Sequence, residues 1–367
     1  MPKSRAAGNP SRANRLDRNE RITDYVARVE QFMREVISET ERSTADRLTQ
    51  HDLSLYGMVR YHLGWADETF QSAQFDAGKR IRPFICMHAS AAVGGDTEAA
   101  VPVAAAIEIL HNFTLVHDDI QDQSATRRHR PTIWSLWGES QAINVGDAMF
   151  ALGQLALLRL LDHPIASDKL APILTGYNDA ALRIVEGQVL DLGFEDRWNI
   201  STAEYLDMIR GKSAAIVAYA AWSGAVLGGA DVSEAERFRA FGEMLGLGFQ
   251  IRDDMLGIWG ETAVTGKRKA DDIRRRKKSL PIISLAGTAS AGDLDRLRNI
   301  YGQQQIAEDD LEWIVGLLSR YEIEDQMQAV VSDYHDQARC LIEQAATDSP
   351  SRRVLLDLLD RLSTRAF

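Results

Sequence analysis

The stretch IEILHNFTLVHDDIQDQSATRRHRP, residues 107–131, decides the fold, because it sets three carboxylates at the end of an apolar helix and follows them with three arginines. Ile107, Leu110, Phe113, Leu115 and Val116 are too apolar for an exposed helix, so Asp118, Asp119 and Asp122 stand at the mouth of something buried. Residues four apart lie on one helix face, which brings Asp118 and Asp122 together and turns Asp119 about 100° away. Two carboxylates on one face repel each other unless a cation sits between them, so the spacing predicts a site for Mg2+. Taken alone, DDxxD also reads as a solvated acidic helix end.

Outward from this stretch the same logic recurs. Upstream, Gly78, Lys79, Arg80, Arg82 and Pro83 precede an apolar helix, where cations and a helix amino end together favour an anion. Downstream come Arg127, Arg128 and Arg130, an apolar helix over about 142–161, and a helix over about 171–192 carrying Glu186, Gln188 and Asp191. Gly211, Lys212 and Ser213 open an uncharged run of eighteen residues, SAAIVAYAAWSGAVLGGA, which reaches membrane-span length. Its alanine and glycine content predicts a close-packed core helix instead. FGEMLGLGFQIRDDMLGIWG then repeats the first site, with Gln250, Asp253 and Asp254 after an apolar face and Gly257 where a third carboxylate would fall. Residues 267–278 hold eight lysines and arginines beside Asp271 and Asp272, either a solvated loop or one that closes over a phosphorylated ligand.

Helical periodicity recurs from Ile22 to the carboxyl end and strict alternation is almost absent, so the fold class is all-α. The two acidic helix ends, 135 residues apart, would face each other in a bundle around a central cavity. Residues 1–20, rich in Arg, Ser, Asn and Pro, read as a disordered basic tail, and 21–367 as a single all-α domain. A net charge of -11 argues against nucleic acid and anionic membrane surfaces as partners. The two cysteines, Cys86 and Cys340, have neither disulfide nor metal spacing, which fits a reducing cytoplasm.

Six motifs in one order carry a resemblance: GKRIRP (78–83), LHNFTLVHDDIQD (110–122), RRHRP (127–131), GQVLD (187–191), GKS (211–213) and GFQIRDD (248–254). From about Tyr25 onward the chain resembles the trans-isoprenyl diphosphate synthases of the polyprenyl synthetase family. The resemblance implies an isoprenoid synthase-type bundle of antiparallel helices, a homodimer, and two substrates, isopentenyl diphosphate and an allylic diphosphate. In that family the allylic diphosphate ionises, the double bond of isopentenyl diphosphate attacks the cation, and proton loss leaves a chain five carbons longer. Three Mg2+ ions between the acidic motifs neutralise the leaving diphosphate.

Carried over by resemblance, Asp118, Asp122 and Asp253 are the metal ligands, supported by Asp119 and Asp254, and together with Lys212 they form the catalytic set. Arg127, Lys212 and Lys267 hold the allylic diphosphate, helped by Gln188 and Gln250. Lys79, Arg82, His111 and Arg128 hold the diphosphate of isopentenyl diphosphate, and Lys277 resembles the lysine of the closing loop. Gly78 and Ser213 belong to the same substrate-binding motifs. The family commonly has a third aspartate where Gly257 stands; metal binding is expected to survive this, and Gly257→Asp to be neutral or to strengthen it.

Product length is expected to depend on the residues four and five before the first motif, Thr114 and Phe113. A helical wheel places Thr114 about 40° and Phe113 about 140° from Asp118, so the role of Phe113 rests on resemblance alone. One aromatic at the fifth position and a small residue at the fourth resemble the C20 pattern, so geranylgeranyl diphosphate is the expected product. A class I terpene cyclase shares the fold but binds one diphosphate and has no use for the second set of cations. A non-catalytic subunit would be expected to have lost the first motif, and an interaction protein with acidic patches explains neither the cations nor the apolar helices.

Overall fold

The computed structural model describes residues 10–44, 54–163, 168–260 and 269–364. Its helices are α1 (Pro10–Thr44), α2 (Leu55–His62), α3 (Ile81–Ala92), α4 (Val101–Gln121), α5 (Ile133–Trp137), α6 (Glu139–Leu158), α7 (Leu170–Phe194), α8 (Thr202–Ile209), α9 (Ala215–Gly228) and α10 (Val232–Trp259). They continue as α11 (Asp271–Arg274), α12 (Leu280–Thr288), α13 (Ala291–Tyr301), α14 (Glu308–Arg320), α15 (Ile323–Ala345) and α16 (Pro350–Thr364). Among the described residues the one sheet is a hairpin of β1 (Thr126–Arg127) and β2 (Arg130–Pro131). The all-α expectation is met. Helix α1 starts at Pro10, inside the stretch read as a tail, and proline suits a first helical position because its missing N–H would be unpaired there anyway. Residues 1–9 lie outside the described residues.

Helix α4 is apolar on every side and is enclosed accordingly, with Val101 through Leu110 all buried. Helix α9, the long uncharged run, is a core helix whose small residues bring backbones together. A side chain on Gly224 would lie 2.1 Å from the Cys86 carbonyl of α3, and one on Gly242 of α10 would lie 2.5 Å from the Val217 carbonyl of α9. Interiors packed this closely leave no room for a methyl group. Two other stretches have the length and composition of a membrane span: Thr97–Gln121, mostly inside the protein, and Glu139–Asp162, less than half so. The second leaves Ile143, Leu155 and Leu158 of α6 exposed.

Helix α10 passes from one hydrophobic core to another. Phe238, Phe241 and Leu245 belong to the core built on α3, α4 and α9, whereas Ile251, Met255 and Ile258 belong to one shared with α8, α12, α14 and α15. Reciprocal caps fix where α8 and α10 begin: Ser201 with Glu204, and Asp231 with Glu234, each bonding the other's backbone N–H. Asp253 and Asp254 therefore sit in the second-core half of α10, at the seam between the two cores.

Candidate active site

Asp118 and Asp119 occupy the last turn of α4, and Asp122 is its C-cap. A helix carboxyl end already carries partial negative charge, so three carboxylates there need cations close by. Arg127 supplies one, its Nε donating to Asp119 at 2.8 Å and its terminal nitrogen to Asp118 at 3.3 Å. Lys212 supplies another, 3.4 Å from Asp118 and 2.5 Å from Asp191 of α7. Asp119 points into the protein, as its place on the wheel predicts; burial pushes its pKa up to about 6, with Arg127 pulling the other way. Burial disfavours the charged Lys212, but Asp191 and Asp118 outweigh it and keep the ammonium above its ordinary value.

Two glycines explain how Lys212 arrives there. It sits in a π-helical turn, Arg210–Ala214, between α8 and α9. Added side chains at Gly187 and Gly211 would fall 2.2 Å from the Lys212 nitrogen and 2.5 Å from the Arg183 carbonyl, so both glycines let α7 press against the turn. Such turns recur where a side chain must be re-aimed. Ser213 donates to Gln250 at 2.8 Å, and Gln250 in turn donates to Asp254 at 3.1 Å. Gln188 donates to Gln121 at 2.9 Å, on the α4 side of the cleft.

On the second acidic end, Asp253 is half-buried while Asp254 is fully enclosed. The Tyr205 hydroxyl donates to Asp254 at 2.5 Å and the Leu280 N–H at 3.4 Å; burial pushes its pKa up to about 6. Lys277 lies within the electrostatic reach of both ends. Partial desolvation opposes its charge, yet Asp254, Asp272, Asp191 and Asp253 together raise its pKa above the ordinary lysine value, and its ammonium in turn acts on Asp122. The carboxylates of α4, α7 and α10 therefore share one electrostatic field. Lys267 lies outside the described residues.

A second group of cations gathers nearer the middle of α4, around His111, two turns before Asp118. Arg128 and His129 form the two-residue turn between β1 and β2, both with positive φ, 51° and 62°. This is the turn that right-handed hairpin twist favours, usually made with Asn and Gly; two bulky residues there store strain, as functional turns often do. Gly78, with φ 85°, lets Arg128 lie against the upstream loop, its guanidinium 2.7 Å from where a Cβ would be. Arg82 and His111 border the same space, and Lys79 is exposed beside it. Burial first, then Arg82 and Arg128, push His111 well below the usual imidazole range, so it is neutral. Arg130 serves structure: it stacks on Tyr61 at 3.9 Å and donates to the Tyr61 and Ala66 carbonyls.

Sequence reasoning missed three members of this surrounding. Asp191 was legible as a polar residue of α7 and the end of GQVLD, but nothing in spacing pairs it with Lys212. His62 lies among Arg127, Arg128, Arg80 and Arg130, with burial and then these charges lowering its pKa to about 3. Asp272 fills the space beside Gly257: a side chain there would put its Cβ 2.1 Å from the Asp272 Oδ2. An aspartate at 257 would therefore require the Asp272 side chain to shift.

The acidic side fits a hard divalent cation. Asp118 Oδ1 is buried without a hydrogen bond and faces the Lys212 ammonium at 3.4 Å, so this oxygen already lies where positive charge is held. Among the described residues no three acidic, histidine or cysteine side chains converge on one point.

The polyprenyl synthetase family model matches residues 64–318. A (2E,6E)-farnesyl diphosphate synthase of Mycobacterium tuberculosis is 39% identical over 303 residues, covering 82% of each chain. Among solved structures, geranylgeranyl pyrophosphate synthetase from Pyrococcus horikoshii superposes with a TM-score of 0.81 at 30% identity, covering 94% of this chain and 97% of its own. Polyprenyl synthase from Caulobacter crescentus, complexed with calcium and isoprenyl diphosphate, gives 0.78 at 28% identity over 99% and 100%.

Proposed function

Since the chain belongs to the polyprenyl synthetase family and is a trans-prenyltransferase, we propose that it condenses isopentenyl diphosphate with an allylic diphosphate, making chiefly geranylgeranyl diphosphate. The observation that carries this reading is the presence of two groups of cations of different design along α4. One pairs carboxylates with Arg127, Lys212 and Lys277; the other consists of Arg82, Arg128 and neutral His111 beside Lys79. A cyclase has a use for only the first. The M. tuberculosis relative is a C15 synthase and the Pyrococcus structure a C20 synthase, so the identity of the product rests on Phe113 and Thr114.

In this reading Asp118, Asp122 and Asp253 hold Mg2+, three ions in all, which would neutralise charge developing on the departing diphosphate. Arg127, Lys212 and Lys267 hold that diphosphate, Arg127 and Lys212 while also touching the carboxylates, and Lys277 closes over it. Gln188, Gln250 and Ser213 orient the side chains around it. Asp119 and Asp254 act from behind, Asp119 by orienting Arg127 and Asp254 by anchoring Gln250. Lys79, Arg82, His111, Arg128 and the open backbone at Gly78 position isopentenyl diphosphate so that its double bond meets the cation. Free thiols at Cys86 and Cys340 accord with a cytoplasmic enzyme.

Phe113 packs on Phe150 of α6 at 5.5 Å and on His117 at 4.9 Å, which suits a floor under the growing chain. The deciding experiment incubates the protein with isopentenyl diphosphate, Mg2+ and C5, C10 or C15 primers, then sizes the dephosphorylated products. The expected main product is C20; Phe113→Ala moves it to C25 or longer and Thr114→Phe toward C15. An active Phe113→Ala enzyme with an unchanged product removes Phe113 from the floor, and a hydrocarbon formed without isopentenyl diphosphate makes the protein a cyclase.

The homodimer forms through α6 and α7 in this reading. Ile143, Leu155 and Leu158 of α6 and Leu182, Val185 and Val189 of α7 are exposed apolar residues, and those of α7 lie three and four apart on one helix face. Val185→Arg combined with Val189→Arg should give a monomer by light scattering; a dimer of unchanged mass would place the contact elsewhere.

A further inference from the structure

Of the three arginines in RRHRP, Arg130 spends its charge on the protein itself. Its guanidinium lies 3.9 Å from the ring centre of Tyr61 and 3.8 Å from that of Phe75. A planar guanidinium stacks on rings while its fork keeps N–H groups available in the plane. One terminal nitrogen donates to the Tyr61 carbonyl at 3.0 Å, in the last turn of α2, and the other to the Ala66 carbonyl at 2.9 Å, just beyond that helix. The Tyr61 hydroxyl returns the contact by donating to the Pro131 carbonyl at 2.8 Å.

These contacts join two segments that carry the cations around His111. In the hairpin, Arg130 stands opposite Arg127, and Arg128 lies in the turn between them. The upstream loop doubles back after α2: Ala66 bridges to Ser72, the Ala73 N–H donates to the Trp65 carbonyl at 3.1 Å, and the Phe75 N–H donates to the Gly64 carbonyl at 2.9 Å. That fold delivers Phe75 to Arg130 three residues before Gly78, against which Arg128 rests, and four before Lys79. Like charges repel when no anion lies between them, so two cationic segments need a tie that does not depend on the ligand.

We propose that Arg130 is a positioning residue which, with Phe75, clasps the hairpin to the upstream loop and so holds Arg128 and Lys79 at the spacing a diphosphate requires. The proposal rests on the assignment of this cation group to isopentenyl diphosphate made above. Arg130 and Phe75 act through their neighbours and touch no substrate.

The test pairs steady-state kinetics, each diphosphate varied in turn, with backbone hydrogen exchange of the unliganded full-length protein over residues 64–79 and 124–132. Phe75 is 38% exposed, so Phe75→Leu leaves the core intact. Arg130→Met and Phe75→Leu should each raise KM for isopentenyl diphosphate about tenfold, the size of having to order one or two long cationic side chains on binding. Turnover and the allylic KM should stay within about twofold of wild type. Exchange should quicken in both segments. Arg130→Lys keeps the charge but loses the fork and the stack, and should behave like Arg130→Met.

An impaired Arg130→Met enzyme beside a Phe75→Leu enzyme with wild-type kinetics and exchange would make Arg130 a direct substrate contact and overturn the clasp. Unchanged exchange in both variants overturns it too, as does an equal rise in both KM values with a matching fall in melting temperature, the mark of general loosening. If Arg130→Met does not fold, Phe75→Leu decides alone. Faster exchange in both segments with only the allylic KM raised would uphold the clasp and defeat the assignment of isopentenyl diphosphate to this group.

Discussion

Asp118→Ala and Asp122→Ala should each lower turnover by roughly three orders of magnitude or more, because a ligand lost from a cation that acts on the transition state appears in kcat. Asp118 is the more informative of the two. Its Oδ1 is buried without a hydrogen bond, and the cations near it have other partners: Arg127 keeps Asp119 and Lys212 keeps Asp191. Removing the carboxylate strands neither of them. It also takes negative charge from a helix carboxyl end, where such charge is unfavourable. The Asp118→Ala protein should therefore melt at or slightly above the wild-type temperature while being nearly inert, a separation that excludes unfolding as the cause. Turnover within about tenfold of wild type in either variant would remove that residue from the site.

Glu108→Ala should have the largest effect on stability. Glu108 and Arg80 are 3% and 4% exposed and form an ion pair of 2.5 Å deep between α3 and α4. Asn112 donates to the same carboxylate at 2.9 Å, and Glu30 of α1 takes the other side of the guanidinium at 3.0 Å. Without Glu108 a buried guanidinium keeps only its half-exposed partner, and breaking such a pair costs about 3 to 5 kcal/mol. That is a large part of the roughly 5 to 15 kcal/mol that holds a domain folded, so the urea midpoint should fall steeply. Replacing both partners, Arg80→Met with Glu108→Leu, should recover much of the loss, since two apolar groups leave no charge stranded. Circular dichroism in urea decides: equal midpoints for Glu108→Ala and wild type would mean that the pair contributes nothing.

This pair also marks where sequence reading reaches its limit. Apolar patterning located α4, α9 and α10, and the wheel turned Asp119 inward, because those are properties of one helix considered by itself. Arg80 was legible only as part of GKRIRP and Glu108 not at all; their meeting depends on how α3 and α4 pack. The same holds for Asp191 with Lys212 and for His62 among four arginines. Gly257 is a related case. A wheel shows which face of α10 a residue occupies, but not that a carboxylate fifteen residues later already fills the space in front of it. The GKRIRP, RRHRP and GKS motifs were legible as loci of charge, whereas the reasons for their glycines, close backbone approach at Gly187 and Gly211 and a seat for Arg128 at Gly78, appear only in three dimensions.

The π-helical turn at Arg210–Ala214 is, in effect, a change of phase in a continuous helical rod. A wider turn adds a residue without adding a hydrogen-bonded repeat, so side chains before and after it fall out of step with each other. Ahead of it Tyr205 is aimed at Asp254, and beyond it the small residues of α9 face α3 and α10. A uniform α-helix over the same residues would keep one of these alignments and rotate the other away. The chain keeps both by holding the mismatch at Lys212, so its longest uncharged core helix and its site cannot be re-registered independently of each other.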